Sequence, residues 1–307
     1  MKNSAWLFPG QASQKVGMGL DLFEGTEIGL KYFNQANEIM GYDIQDIIFN
    51  GPEETLRKTE YTQPAIYIVS VIIGQILLDK GFKPTVVAGH SLGEYSALTI
   101  AGSFDFGLGL NLVKIRSKSM AKAGASQKGS MAAIVGLDDK IVTEICNGYT
   151  DDGIVVAANF NSPGQIVISG NNNAVEWAMK KSKELGAKMC IKLNVSGAFH
   201  SPLMLAARKE LNDILNTTQM QNANFPIYTN VQAKPVSNKK DIKNFLIQQL
   251  EKPVLWSNLI TAIKSSGIQS FLEVGPGNVL KGLNKRIDRK LITYNFGTLK
   301  ELEILNV

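Results

Sequence analysis

The sequence predicts an α/β fold in which a large domain, built on a parallel sheet, is interrupted by one small inserted domain. Three observations lead to this prediction. Short apolar segments alternate with helical patterns along most of the 307 residues. The run TVVAGHSLGEYSAL, Thr85 to Leu98, has the pattern of a strand, a tight turn and a helix. In residues 125–196 the predicted elements follow the order βαββαβ, which is the ferredoxin-like unit.

The large domain begins with a short strand. Ala5 to Phe8 is apolar and is followed at once by Pro9, Gly10 and Gln11, a turn signal at the carboxyl end of a strand. Such ends are where open α/β sheets bind ligands. Apolar periodicity then predicts helices over Glu27 to Met40, Gln63 to Lys80 and, beyond the Thr85 run, Phe104 to Ala123.

The inserted domain follows a predicted linker, GASQKGS at Gly124 to Ser130, where small and polar residues cluster. Its strands are predicted at Met131 to Gly136, Ile154 to Phe160, Gln165 to Ser169 and Lys188 to Leu193, and its helices at Asp138 to Cys146 and Asn173 to Leu185. We therefore expect a small domain at 125–196 and a large domain at 1–124 and 197–307.

The chain re-enters the large domain after Ser196 and Gly197, and Pro202 is placed to start a helix through Leu215. The elements predicted next are a strand near Pro226 to Tyr228, helices at Asp241 to Leu250 and Ser257 to Lys264, a strand at Gln269 to Glu273, and, after Gly275-Pro276-Gly277, a helix ending near Arg286.

The composition is that of a globular enzyme, with 44% hydrophobic and 19% charged residues, which excludes disorder. The net charge of +5 is too small to indicate nucleic-acid binding, although it would favour an acidic or phosphate-bearing partner. Cys146 and Cys190 lack metal-ligand spacing and are typical of buried thiols in a reducing compartment. The apolar run in the N-terminal segment is too short for a signal peptide. The apolar stretch Ala65 to Leu78 fits a core helix better than a membrane span. We expect a cytoplasmic protein.

The Thr85 run places a serine where a nucleophile is useful. Ser91 lies at the corner between strand and helix, and Gly89 and Gly93 permit the tight turn. The backbone N–H of Leu92, at the helix start, points at the same place and could stabilise a developing oxyanion. The alternative interpretation is a glycine-rich turn with a solvated serine.

A nucleophilic serine needs a base, and the chain has only two histidines. His90 directly precedes Ser91, so its side chain should point away from the hydroxyl. His200 remains, at the point where the small domain returns the chain, although a lone histidine is often structural. No aspartate or glutamate can be chosen as the third member. Gln248 and Gln249 offer polar and backbone groups near a helix end, and a main-chain carbonyl could orient the histidine.

Seven motifs, spread over nearly the whole chain and in the expected order, resemble the malonyl-CoA:acyl carrier protein transacylases of type II fatty acid synthesis. The motifs are FPGQASQ from Phe8, GHSLGEYSAL from Gly89, KIRSKSM from Lys114, NFNSPGQIVISG from Asn159, GAFHSPLM from Gly197, the QLEKPVLW stretch from Gln249, and EVGPGNVLKGL from Glu273. The resemblance also implies a hydrolase-like large domain with a ferredoxin-like insertion.

The resemblance implies catalytic roles for five residues. Ser91 matches the acylated nucleophile, His200 its base, and the amides of Gln11 and Leu92 the oxyanion hole. Gln249 matches the residue whose backbone carbonyl supports the histidine.

Two further residues match positions that select the substrate. Arg116 matches the arginine that binds the malonyl carboxylate, and Phe199, beside the base, should crowd the α-carbon of the acyl group. Ala12 departs from the glycine more usual after the glutamine, which is tolerable if its φ is negative. Asn159 and Asn161 fall in a matching motif, but turn chemistry explains asparagine in NSPG equally well, so both are left out of the site.

The implied reaction is a ping-pong malonyl transfer from malonyl-CoA to acyl carrier protein, by a monomer without metal or bound cofactor and without nucleic-acid or membrane partners. A serine esterase or thioesterase, a catalytically inactive carrier-binding module and a polyketide carrier as acceptor stay open. Arg116 argues against an esterase, because a buried guanidinium is costly without an anionic partner. Lysines and arginines in Lys180 to Lys192 and Lys281 to Lys290 are expected to dock the acidic carrier, unless they are only a solvated face.

Overall fold

The computed structural model describes residues 3–303, in which ten strands form two separate sheets. The strands are β1 Ser4–Phe8, β2 Val86–Gly89, β3 Gly129–Val135, β4 Val155–Ser162, β5 Gln165–Asn171, β6 Met189–Lys192, β7 Ile227–Tyr228, β8 Pro235–Val236, β9 Ser270–Val274 and β10 Ile292–Phe296. The large sheet has the order β10-β9-β1-β2-β7-β8 and the small sheet the order β4-β5-β3-β6.

Helices surround both sheets. They are α1 Leu20–Gly25, α2 Glu27–Met40, α3 Ile44–Asn50, α4 Glu53–Leu56, α5 Thr59–Asp79, α6 Gly93–Ile100, α7 Phe106–Ser126, α8 Asp139–Asn147, α9 Asn172–Glu184, α10 Leu205–Thr217, α11 Lys239–Gln249, α12 Trp256–Ser265, α13 Val279–Ile287 and α14 Leu299–Glu303, with a 3₁₀ turn at Pro202–Met204.

The large sheet is parallel except for β8, which pairs antiparallel with β7. Its strands are short and buried on both faces, as parallel strands covered by helices are. Trp6 and Phe8 pack into the core beneath α5, α6 and α7, whereas Ala5 and Leu7 pack against α12 and α13. From β1 the strand order runs to β2 and β7 on one side and to β9 and β10 on the other. A crevice therefore opens at the carboxyl ends of the central strands.

Helix α5 is the main core helix of the large domain. It is the one helix among residues 3–303 that is long and apolar enough to cross a membrane, and 83% of its apolar 18-residue stretch is buried inside the protein. It packs against α7 and α6. The prediction of a buried core helix over this apolar segment is confirmed.

The small sheet is antiparallel, with β3 between β5 and β6. Helices α8 and α9 cover one face, where Ile134, Ile166 and Ile168 form a separate core. The other face, which carries Met131 and Val167, is turned towards the large domain. The element order and strand order confirm the predicted fold class, an α/β protein with a ferredoxin-like insertion.

The structure corrects the predicted linker at Gly124 to Ser130. Helix α7 continues through Ser126 and β3 begins at Gly129, so only two residues separate them. A methyl group on Gly124 would lie 2.2 Å from the carbonyl oxygen of Ser196, where the chain returns. Gly124 is therefore needed for the close crossing of the two connections and not for flexibility. The sequence also missed α1, α3, α4, α14, β8 and β10, which are short.

The small sheet is tied to the large domain by backbone hydrogen bonds. Phe160 N donates to Val254 O and Val254 N donates to Ala158 O, both at 2.9 Å. The Arg286 guanidinium of α13 also donates to the Gln165 side chain of β5. These contacts hold the small sheet against the large domain.

Candidate active site

A cavity of about 280 Å³ lies between the two sheets, at the carboxyl ends of β1 and β2. Its lower side, which we call the floor, consists of residues 10–13, Gln63, residues 90–92, Arg116 and His200. Its upper side, which we call the roof, consists of Met131, Ala133, Val167, Leu193 and Val195. The floor comes from the large domain and carries most of the polar side chains, whereas the five roof residues come from the small sheet and its exit and are apolar. The small sheet also lines the cavity with the polar side chains of Asn159, Asn161 and Gln165.

Ser91 stands at a strained elbow between β2 and α6. Its φ is 51°, a left-handed value that non-glycine residues rarely adopt. A methyl group on Gly89 would lie 1.9 Å from the carbonyl carbon of Gly93, and one on Gly93 would lie 2.0 Å from the carbonyl oxygen of Phe8. Asn230 braces the turn, because its Oδ1 accepts from Ser91 N at 2.7 Å and its Nδ2 donates to Gly89 O at 2.6 Å. Both glycines are thus required for close backbone approach.

His200 meets the Ser91 hydroxyl, as expected from the sequence. Ser91 Oγ and His200 Nε2 are 2.8 Å apart, and His200 Nδ1 lies 2.8 Å from the backbone oxygen of Gln249. Because a carbonyl only accepts, Nδ1 carries the proton and Nε2 is left to accept from the serine. Burial, followed by the positive charge of Arg116, lowers the pKa of His200 to about 3. The imidazole is therefore neutral at physiological pH.

Two backbone N–H groups remain available beside Ser91. Those of Gln11 and Leu92 donate to no other group in residues 3–303, and both residues line the cavity. The N–H of Ser91 itself is taken by Asn230. Leu92 is the N-cap of α6, so its N–H lies at the positive end of a helix. This pair can stabilise an oxyanion at the acyl carbon.

The conformation of Ala12 differs from the expected one. Its φ is 83° and not negative, and its N–H donates to Gln14 Oε1 at 2.8 Å. Alanine at this φ costs about 1 kcal/mol or more, because its Cβ crowds the following carbonyl. The strain lies next to Gln11, at the floor of the cleft.

Arg116 is fully buried and points at the nucleophile. Its Nη2 donates to Ser91 Oγ at 3.0 Å and to Gln249 Oε1 at 2.9 Å, and its Nη1 donates to Gln63 Oε1 at 2.5 Å. The guanidinium carbon lies 5.5 Å from the centroid of the Tyr95 ring. Within residues 3–303 no carboxylate forms an ion pair with Arg116, and burial lowers its pKa. The site thus holds a cation beside Ser91 with only neutral direct partners.

Phe199 and His90 also line the cavity. Phe199 is 5% exposed and follows Ala198 into the turn that carries His200. His90 turns away from the serine, as expected, and its Nε2 lies 2.8 Å from Asn161 Oδ1. In residues 3–303 no cluster of three His, Cys, Asp or Glu side chains could hold a metal ion.

Sequence reasoning missed four polar residues of this site. Gln63, Glu94 and Asn230 bind its members directly, and Asn161 lies inside β4 and not in a turn. Glu94 and Asn161 could have been predicted, since both lie in motifs that carry the family resemblance. Gln63 and Asn230 carry no local signal, because only packing brings α5 and the loop after β7 to the elbow.

The chain is similar to known acyltransferases over nearly its full length. Residues 5–289 match the family described as the acyl transferase domain. It is 39% identical over 305 residues to the malonyl CoA-acyl carrier protein transacylase of Bacillus subtilis, covering 99% of this chain and 96% of that one. An acyl carrier protein S-malonyltransferase from Vibrio cholerae superposes with a TM-score of 0.95 at 38% identity, over 99% of this chain and 100% of that one.

A second solved structure shows a relative with a partner. It is a malonyl-transacylase in complex with a type II PKS acyl-carrier protein. It is 38% identical, with a TM-score of 0.94, over 98% of each chain.

Proposed function

This chain belongs to the acyl transferase domain family, and we propose that it moves a malonyl group from malonyl-CoA to the pantetheine thiol of acyl carrier protein, for fatty acid synthesis. Relatives that carry this activity in their names match at about two residues in five over the full length. The protein is then an [acyl-carrier-protein] S-malonyltransferase.

The reaction proceeds in two halves through one serine ester. His200 Nε2 takes the proton of Ser91 as the hydroxyl attacks the thioester carbonyl, and the N–H groups of Gln11 and Leu92 hold the oxyanion. His200 then gives the proton to the leaving CoA thiol. The carrier thiol enters next and reverses these steps, so that malonyl leaves on the carrier. Gln249 keeps the imidazole in the required tautomer through its carbonyl.

Arg116 is proposed to select the malonyl group as substrate. A guanidinium that is 0% exposed, with no ion-pair partner in residues 3–303 and 3.0 Å from the nucleophile, supports an anionic substrate group at this place. Its fork can hold both carboxylate oxygens at once. A general esterase has no use for such a group. Phe199, beside the base, is proposed to crowd the acyl α-carbon and to disfavour branched acyl groups.

A polyketide carrier is a second candidate acceptor, because one similar structure holds such a carrier. We also propose a cytoplasmic monomer that needs no metal or cofactor, with no nucleic-acid or membrane partner. Its proposed domains are residues 1–124 and 197–307, and 125–196.

Intact-mass measurement after brief mixing with malonyl-CoA tests the proposal. We expect one added malonyl group, which disappears when fatty-acid acyl carrier protein is added and then appears on the carrier. Adduct loss to water at the same rate without carrier would instead indicate a thioesterase, and no adduct would reject both functions.

A further inference from the structure

Glu94 is a buried carboxylate with no part in the chemistry described above. It lies in the first turn of α6, three residues after Ser91, and is 1% exposed. Its Oε2 accepts from Gln249 Nε2 at 2.8 Å and from Asn230 N at 3.1 Å. Like Arg116, it has no ion-pair partner in residues 3–303. Two opposite charges are thus buried near Ser91 without touching each other.

The Gln249 side chain joins these two charges. Its Nε2 donates to Glu94 and to Ser91 O, and its Oε1 accepts from Arg116 Nη2 at 2.9 Å. The reversed amide would set its NH₂ against the guanidinium and its oxygen against the carboxylate, so only one orientation is favourable. Glu94 therefore fixes the amide that positions Arg116, and its charge offsets the buried guanidinium.

The guanidinium keeps capacity for a further anion. Within the described residues, Arg116 Nε has no hydrogen-bond partner, and Nη2 already reaches Ser91 Oγ, where the acyl group would be attached. A malonyl carboxylate bound here would be a second anion near the one guanidinium whose charge Glu94 offsets across Gln249. Two carboxylates in one buried site disfavour ionisation of both.

Resting on the malonyl transfer proposed above, we propose that Glu94 is the positioning residue and counter-ion of Arg116 in the empty site, and that it takes up one proton from solvent when the malonyl carboxylate binds. The carboxylate of the substrate then replaces Glu94 as the counter-charge of Arg116, and protonated Glu94 stays in place as a neutral acid. The acyl transfer itself is proton-neutral, since the proton of Ser91 leaves on the CoA thiol.

Electrostatics support this proposal. Burial raises the pKa of Glu94 to about 7, and the hydrogen bonds from Gln249 and Asn230 and the charge of Arg116 oppose the rise. The charged and titratable neighbours of Glu94 are Arg116 and Tyr95. Helix α11 and the loop that carries Asn230 present neutral amides to it. His200, which is bound to the Gln249 carbonyl, is neutral. In the empty site Glu94 is therefore mostly ionised at pH 8, and a bound malonyl carboxylate raises its pKa further.

The test is proton uptake during malonylation at pH 8, measured with an indicator dye in weak buffer, beside the adduct mass. A group with a pKa near 7 is about 90% ionised at pH 8, so we expect up to about 0.9 proton per malonyl-enzyme. Glu94→Gln should abolish the uptake. Glu273→Gln is the matched control, because Glu273 is also a buried glutamate but binds backbone N–H groups at the start of α13, among them those of Leu280 and Lys281.

An adduct that forms without proton uptake would overturn this inference and leave the proposed function standing, whereas a missing adduct would reject the proposed function. Equal uptake in Glu94→Gln would assign the proton to another group and also overturn it. Should Glu94→Gln not fold, the pH profile of the wild-type enzyme still tests the inference. The wild-type kcat/KM for malonyl-CoA should fall above pH 7 by up to about tenfold per pH unit, while the kcat/KM for acetyl-CoA stays level. Parallel profiles would contradict the inference.

Discussion

The floor of the cleft rests on polar side chains almost closed to solvent, whereas the five roof residues are apolar. Arg116, His200, Glu94 and Gln249 are each at most 3% exposed, and their hydrogen bonds connect them to one another or to Ser91. The five apolar roof residues are Met131, Ala133, Val167, Leu193 and Val195. Lys281 is exposed on α13, next to the cavity-lining Val279 and Leu280, at an edge of the cleft that we call the rim. Lys192 instead pairs with Glu176 of α9, on the far side of the small sheet.

The difference separates two tasks. A buried polar network cannot rearrange cheaply, so it holds reacting atoms in place and makes each member hard to replace. The left-handed φ values of Ser91 and His200, 51° and 56°, show that this region also stores backbone strain. An apolar face with a charged rim suits a flexible pantetheine arm and a protein carrier, and screened surface charges there are worth little individually. We therefore expect floor substitutions to have effects orders of magnitude larger than rim substitutions.

The largest effect is expected on the floor at Ser91. Ser91→Ala removes the nucleophile, so the malonyl adduct should vanish and transfer should fall by about 10⁴-fold or more. Intact mass and carrier acylation measure both. Ser96→Ala is the control, because Ser96 is buried in α6 and its hydroxyl has no hydrogen-bond partner in the part of the chain that the structure describes. A malonyl mass on Ser91→Ala would show that the nucleophile lies elsewhere.

The next effect is on selectivity. Arg116→Ala should lower kcat/KM for malonyl-CoA by about thirty- to several-thousand-fold, the range for removing one partner of a buried charge pair. Acetyl transfer should persist or improve, since no unpaired guanidinium faces the methyl group. Arg116→Lys should recover part of the loss, because it restores the charge without the fork.

The control for selectivity is Arg208→Ala, in which the lost arginine is partly exposed, pairs with Glu251 and is not among the residues that line the cavity. Its malonyl-to-acetyl ratio should match the wild type. A fall of equal size for both substrates in Arg116→Ala would mean that Arg116 is structural.

The pH dependence gives a smaller effect. A base with an ordinary pKa of about 6.5 would lose about thirtyfold in its neutral fraction at pH 5. Because the pKa of His200 is lowered to about 3, its neutral form persists as the pH falls from 7 to 5. The single-turnover acylation rate should therefore stay nearly level over this range. A tenfold loss per pH unit below 6.5 would contradict the buried, neutral histidine.

The smallest effect is expected at the rim. Lys281→Ala should raise the KM for acyl carrier protein only about two- to fivefold, and this difference should shrink with added salt, because exposed charges are screened. The KM for the carrier should also rise with salt more steeply than that for malonyl-CoA. Lys181→Ala is the control. Lys181 belongs to the other segment predicted to dock the carrier, but its helix α9 covers the face of the small sheet that is turned away from the cleft. Equal KM changes in both variants would favour a merely solvated face.

Much of the fold was predictable because its signals are local. The helix at Glu27–Met40 was predicted to the residue, and the strands of the small sheet were displaced by only one or two residues at most of their ends. The short strand β10 was missed because its pattern, Ile292 and Tyr294 exposed and Thr293 and Phe296 buried, runs against simple hydrophobicity. The linker prediction was wrong because the sequence alone does not distinguish a glycine required for close packing from one required for flexibility.

The sequence by itself determined the elbow, the pair of Ser91 and His200 as candidates, and the order of elements, since these depend on neighbouring residues or on the scarcity of histidine. Only the tertiary structure decided that Ser91, His200, Arg116, Gln249 and Glu94 form one connected network. These residues are separated by up to 158 positions in the chain. Burial then lowers the pKa of His200 and raises that of Glu94, because removing water penalises each charged form. No local pattern of residues specifies that loss of water.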